Sequence, residues 1–405
     1  VYKRQVTINE DGSFNVLDKE SQKEYKNQGV LVENGDDGDS FNYSIPRQDM
    51  EIYSTAFKPM IYVKGSSLVQ KANIQFEMVV PEDLKARAAK QATFKMPVEL
   101  IVGLRKHSKV IDVQVNVDNH GLSHRLCILF DAGFATKTNI ADQQFGTIMR
   151  PNEKEMALYI QSANTKEDKV VDSLEPVNWQ QSETTWQEPP ISIEPCQSFV
   201  SLTNDEETVS VIPQGVREYE IIGENKNVIR LTLFRTYGFM GKENLLYRPG
   251  RASGEKIIET PDAQLLKNMS FNCGVAYCAK AFNDSNIANI AKQYNTPIEV
   301  KEYSEFLNGR LIFSEPEVEA TNDNNLTMLS MEGNLTVSAI KNAEDQEGMI
   351  IRLYNGMYKE NASGKLIFTK PIKNAYVTNL KEEKTGEVKY TDHEIDLGSL
   401  SHCKF

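Results

Sequence analysis

Apolar residues in this chain recur at every second position over short runs, and glycine, asparagine, aspartate or proline punctuates the runs. Clear examples are residues 97–104 (PVELIVGL), 109–117 (KVIDVQVNV) and 230–235 (RLTLFR). A side-chain period of two is that of a strand, whose successive side chains point to opposite faces. A chain patterned in this way buries its apolar half by pairing strands and stacking the resulting sheets. The expected fold is therefore all-β and largely antiparallel, a large β-sandwich followed by a smaller terminal one.

Taken in order, residues 5–17 alternate around Asp11-Gly12, a strong hairpin signal, with Val6 and Ile8 answered by Phe14 and Val16. An acidic turn, Glu33-Asn34-Gly35-Asp36-Asp37-Gly38-Asp39, leads into Ser40-Phe41-Asn42-Tyr43-Ser44-Ile45-Pro46. Its carboxylates do not follow the EF-hand ligand order, so a solvated turn presenting Asn42 and Tyr43 is expected rather than a calcium loop. Strand runs fill residues 51–80 and 126–130, and resume at 197–202, 209–212 and 216–222. Residues 81–91 (PEDLKARAAKQ) and 283–298 carry the only helical signals, both short. Residues 152–195, with Trp179, Trp186 and Pro189-Pro190, read as a long surface connection in which the tryptophans serve as pins or stack on a sugar. A second long, irregular region is expected at 238–297. Further runs recur with turns between them from Leu311 to Leu400, which is the mark of a sandwich. The expected division is 1–300 and 301–405.

At 405 residues two or three domains are expected. A formal net charge of -12 argues against a nucleic-acid partner, and no apolar run approaches the roughly 20 residues that span a bilayer. The chain starts Val1-Tyr2-Lys3-Arg4 with neither an initiator methionine nor a signal-peptide pattern, as a fragment of something longer would. Cys127, Cys196, Cys273, Cys278 and Cys403 are few, odd in number and dispersed, which fits reduced thiols and a cytoplasmic location. Cys273 and Cys278 have no histidine nearby to complete a zinc site.

No motif for catalysis stands out. His107, His120, His124, His393 and His402 form no HxH or HExxH pattern. A turn separates His120 from His124, so the second reads as a hydrogen-bonded histidine at a strand start. Aromatics beside arginines, at Arg217-Glu218-Tyr219 and Tyr247-Arg248-Pro249-Gly250-Arg251, have the character of sugar contacts. For Arg248 and Arg251, pairing with acidic loops of the same chain or of a neighbouring domain is the favoured reading.

Five stretches carry a family likeness: GDDGDSFNYSIP (35–46), NVDNHGLSHRLCILF (116–130), ADQQFGTIMRP (141–151), the run 229–265 beginning IRLTLFRTYG, and NLTVSAIKNAEDQEGMIIRLYN (334–355). Together and in this order they resemble the C-terminal β-region of bacterial-type family 38 glycoside hydrolases, of the mannosylglycerate hydrolase kind. The resemblance implies a supersandwich of mutarotase type followed by a terminal sandwich. It implies a retaining α-mannosidase acting on mannosides or oligosaccharides. The nucleophilic aspartate and a zinc held by two histidines and two aspartates would lie in an N-terminal catalytic domain upstream of this chain. By itself the chain would then be inactive and bind no metal. The family's β-region lends groups to the sugar pocket, which fall here on Asn42 or Tyr43 and, less directly, on Arg217. His124 and Arg125 match a pair expected to bridge the sandwich to the catalytic domain. A carbohydrate-binding or structural sandwich without a catalytic partner is the alternative, and an extracellular adhesin a third; the natural mannoside and the oligomeric state stay open.

Overall fold

The structure, a computed structural model, describes residues 3–153, 191–246, 248, 257–299 and 327–402. Trp179, Trp186, Arg251 and Cys403 lie outside these. The chain divides into two compact units, Val1–Ala291 and Lys292–Phe405.

The first unit is built on two large antiparallel sheets. The nine-stranded one runs, edge to edge, through Gly146–Pro151, Thr138–Gln143, Val200–Thr203, Thr208–Gln214, Asn268–Cys278, Val110–Asp118, Phe94–Arg105, Val69–Val80 and Met60–Gly65. The six-stranded one runs through Glu194–Pro195, Glu218–Ile222, Val228–Arg235, His124–Asp131, Val30–Gly35 and Ile52–Tyr53. The period-two pattern becomes burial directly. Ile74, Phe76, Met78 and Val80 point inward from one strand, and Val113, Val115 and Val117 from another. They join Leu31, Leu126, Ile128, Phe130, Ile229 and Leu231 of the six-stranded sheet in a single apolar cluster. This is the expected all-β sandwich.

The Asp11-Gly12 hairpin forms as read, with Val6 opposite Val16 and Ile8 opposite Phe14. Gly12 takes φ +83°, where a side chain is strained, and a Cβ there would also strike the Phe76 ring. Residues 81–91 yield a helix at Leu84–Ala88, whose Asp83 cap accepts the Ala86 amide at 2.7 Å. The second helical signal gives Phe282–Ser285 and Ile287–Asn295.

One expectation needs correction. Asn268–Cys278, placed within a long irregular region, is a central strand of the nine-stranded sheet, paired with Val110–Asp118 on one side and Thr208–Gln214 on the other. Its alternation of Met269, Phe271, Cys273, Val275 and Tyr277 is regular, but it has only one β-branched member. Pairing to two strong neighbours supplies what local propensity lacks.

The second unit holds a four-stranded sheet, in the order Leu329–Gly333, Ala362–Phe368, Glu394–Leu400 and Lys389–Tyr390. Two hairpins accompany it, Thr336–Asn342 with Met349–Tyr354 and Tyr376–Thr378 with Lys384–Glu387. It is the smaller β domain.

Candidate functional site

The strand Val30–Gly35 delivers the chain into the acidic segment, which folds back on itself. The Asp37 amide donates to the Ser44 carbonyl at 2.7 Å and that of Asp39 to the Asn42 carbonyl at 3.0 Å. Asp39 Oδ1 accepts the Phe41 and Asn42 amides at 3.0 and 2.9 Å, closing a tight Asx turn at the tip. Gly38 permits this closeness, since a Cβ there would lie 2.0 Å from the Asn42 carbonyl oxygen.

This segment is not the solvated turn expected. Asp36 and Asp39 are buried, at 1% and 0% exposure. A buried carboxylate requires a cation or several donors, and here three cations come from one stretch of chain. Arg235, ending the strand Val228–Arg235, donates from Nε to Asp36 Oδ2 at 2.6 Å, and from Nη2 to the Asp39 and Asn42 carbonyls at 2.9 Å each. Arg248 pairs with Asp39 and donates to Asn42 Oδ1 at 2.6 Å. Lys242 pairs with Asp37, and its amide donates to Asp39 Oδ2 at 2.9 Å. Arg248 thus binds an acidic loop of its own chain, as expected. Burial pushes the Asp39 carboxyl up, but the Asn42, Lys242, Arg248 and Phe41 donors outweigh it and hold it below its ordinary value.

Beneath the segment lies a second polar layer. Tyr43 is buried; its hydroxyl accepts from Asn34 Nδ2 at 2.8 Å and its ring lies 4.0 Å from the Arg125 guanidinium. Arg125 donates to Asn34 Oδ1 and Glu220 Oε2, both at 3.2 Å. Arg230 adds a bond to Asn34 Oδ1 at 2.6 Å. His124 begins its strand hydrogen-bonded on both ring nitrogens, to Glu33 Oε1 at 3.0 Å and Asn119 Oδ1 at 2.9 Å. Glu33 also receives Arg87, carried inward by the Leu84–Ala88 helix.

Asn42 and Tyr43 therefore stand together, while Phe41 beside them is 62% exposed at the tip. Asn42 Nδ2 makes no hydrogen bond among the described residues. Arg217 stands elsewhere, exposed on the turn before Glu218–Ile222, donating to the Gln197 carbonyl at 3.0 Å. Sequence reading missed Arg235, Lys242, Arg87 and Glu33. The available signal was an excess of carboxylates in one short segment, Glu33, Asp36, Asp37 and Asp39, with Arg47 alone close by in sequence to answer them.

Among the described residues no group of three or more His, Cys, Asp or Glu side chains could hold a metal ion, and a zinc does not fit on them. The described cysteines, Cys127, Cys196, Cys273 and Cys278, are free and buried. No helix of the described residues is long and apolar enough to cross a membrane.

Comparison with known proteins agrees with this architecture. The family model described as glycosyl hydrolases family 38 C-terminal domain matches residues 3–239, and that of the family 38 C-terminal beta sandwich domain matches residues 334–400. A protein of Halalkalibacterium halodurans with the provisional name mannosylglycerate hydrolase is 24% identical over 97% of this chain and 39% of its own length. An alpha-mannosidase from Enterococcus faecalis V583 superimposes with a TM-score of 0.72 at 20% identity, covering 98% of this chain and 41% of that one. A family 38 protein from Enterococcus faecalis gives 0.71 at 19% identity, with 98% and 43% coverage. The chain thus spans about two fifths of the length of these relatives. Matched by the family model over more than half its length, with a second family 38 model on its terminal β domain, the chain belongs to glycosyl hydrolase family 38, as its C-terminal region.

Proposed function

We propose that this chain is the pocket-shaping, non-catalytic part of a retaining, zinc-dependent α-mannosidase that acts on small mannosides or mannosylated metabolites in the cytoplasm. The nucleophile and the zinc are assigned to a catalytic domain outside these residues, and the chain by itself is inactive. The observation carrying this reading is the segment 36–45, whose buried Asp36 and Asp39 are locked by Arg235 and Arg248 while Lys242 pairs with the partly exposed Asp37. Such locking presents a tip at fixed geometry, which is what a substrate-positioning loop requires.

In this reading Asn42 offers its carboxamide N–H groups to a sugar hydroxyl while Arg248 holds its oxygen. Tyr43 contributes as a neutral donor, and burial moves its phenol still further from ionisation. Arg217, whose side chain makes one hydrogen bond among the described residues, reaches a hydroxyl or carboxylate farther along the substrate. The provisional name of the Halalkalibacterium halodurans relative makes a mannosylated glycerate a natural first substrate to assay.

The test is steady-state kinetics on the full-length enzyme. Asn42→Ala, Tyr43→Phe and Arg217→Ala should each lower kcat/KM by about 1–3 kcal/mol of transition-state stabilisation, with folding retained. Wild-type kinetics in all three would remove them from the pocket. Mannoside hydrolysis by the isolated 405 residues would show that the catalytic machinery was misplaced.

A further inference from the structure

One edge of the nine-stranded sheet is straight, apolar and uncovered, with Lys64 the single charged residue on its outer strand. The strand Met60–Gly65 pairs with Val69–Val80 in unbroken register, from Met60 opposite Gln75 to Gly65 opposite Gln70. No bulge bends it, and all six residues are exposed. Met60, Ile61, Tyr62 and Val63 are 57%, 37%, 51% and 67% exposed, four consecutive large apolar side chains on a free edge. Natural sheets avoid this arrangement, because the outer row of peptide N–H and C=O groups is a template for another strand.

The charge on the edge is all of one sign. Residues 52–76 contain no aspartate or glutamate, in a chain of net charge -12, yet they contain Lys58, Lys64 and Lys71. Lys64 stands directly opposite Lys71, a like-charge pair that destabilises a hairpin. Among the described residues none of these three lysines has a carboxylate partner.

Resting on the reading of this chain as part of a longer mannosidase, we propose that this edge is completed by an extended, acidic segment of the enzyme lying outside these 405 residues. The relatives are some two and a half times as long as the part matched here, which leaves ample chain to supply such a segment. The pleat dictates its pattern. Ile61 and Val63 share the face of Ile74, a core residue, so the added strand places apolar side chains there and extends the core. Tyr62 and Lys64 share the opposite face, and there the segment carries carboxylates to meet Lys64 and Lys71. Only a polypeptide satisfies the alternating peptide donors and acceptors; a phosphate-rich surface would meet the lysines alone. A second copy of this chain pairing about Tyr62 would bring two sets of lysines together with no carboxylate from 52–76 to answer them.

Residue-resolved amide hydrogen exchange over 60–65, in the full-length enzyme and in the isolated chain, tests this. The outward-pointing amides should exchange roughly 100-fold more slowly in the full-length enzyme. Lys64→Glu with Lys71→Glu should bring them back to within about tenfold of the isolated chain, while Lys64→Arg with Lys71→Arg keeps the protection. Equal exchange in both proteins would overturn the proposal. So would protection in the isolated chain together with dimerisation in sedimentation, which would mean self-pairing. An active enzyme with an unprotected edge would sink this inference alone, whereas a full-length protein inactive on mannosides would sink the functional reading alone.

Discussion

Replacing Arg235 by methionine should be among the most damaging single changes in the first unit. Arg235 holds Asp36, which is 1% exposed, through two guanidinium contacts, and also donates to two backbone carbonyls. Methionine fills a similar volume but leaves a buried carboxylate unpaired, which costs on the order of 3–5 kcal/mol. Arg235→Lys keeps the charge and loses the fork, so the two carbonyl bonds go, at about 0.5–1.5 kcal/mol each. Adding Asp36→Asn to Arg235→Met removes the stranded charge and should recover at least ~1 kcal/mol, an interaction that a double-mutant cycle isolates. Urea unfolding read by hydrogen exchange of the Val228–Arg235 strand confines the measurement to the first unit. A loss below ~1 kcal/mol for Arg235→Met, or additivity with Asp36→Asn, would refute the arginine clamp as the element that fixes the segment.

Two further outcomes follow from other buried groups. Arg125→Ala removes one of the two arginines that face Glu220, leaving Arg230 at 3.8 Å, and uncovers the Tyr43 ring; it should cost about 1.5–3 kcal/mol, lowering Tm far more than it changes the KM of the full-length enzyme, and the reverse ordering would refute a structural role. Burial pushes the Asp142 carboxyl up to about 6, against the Ser198 hydrogen bonds that lower it. With the folded value above the unfolded one, folding penalises the ionised form, so stability should rise by ~1 kcal/mol as pH falls from 7 to 5. Asp142→Asn should flatten that part of the curve; an unchanged slope in thermal melts would locate the titration elsewhere.

The fold was largely legible because its determinant is local. Strands such as Val69–Val80 and Val110–Asp118 announce themselves by alternation, and the Asp11-Gly12 turn by its own backbone demands. The strand Asn268–Cys278 was less legible, since cysteine, glycine and alanine weaken its pattern and its place depends on neighbours far away in the chain. The family likeness drew attention to the acidic segment, but not to its state.

The sequence by itself determined that this chain would pair antiparallel strands around an apolar core, because a period of two leaves no other way to bury one face. It also placed Asn42 and Tyr43 on one short segment. Only the tertiary structure decided that Asp36 and Asp39 would be sealed from water, since their counter-charges, Arg235 and Arg248, lie 199 and 209 residues away. Whether a carboxylate is a solvated surface group or a buried anchor depends on what lies within a few ångströms in space, and separation along the chain does not record that distance.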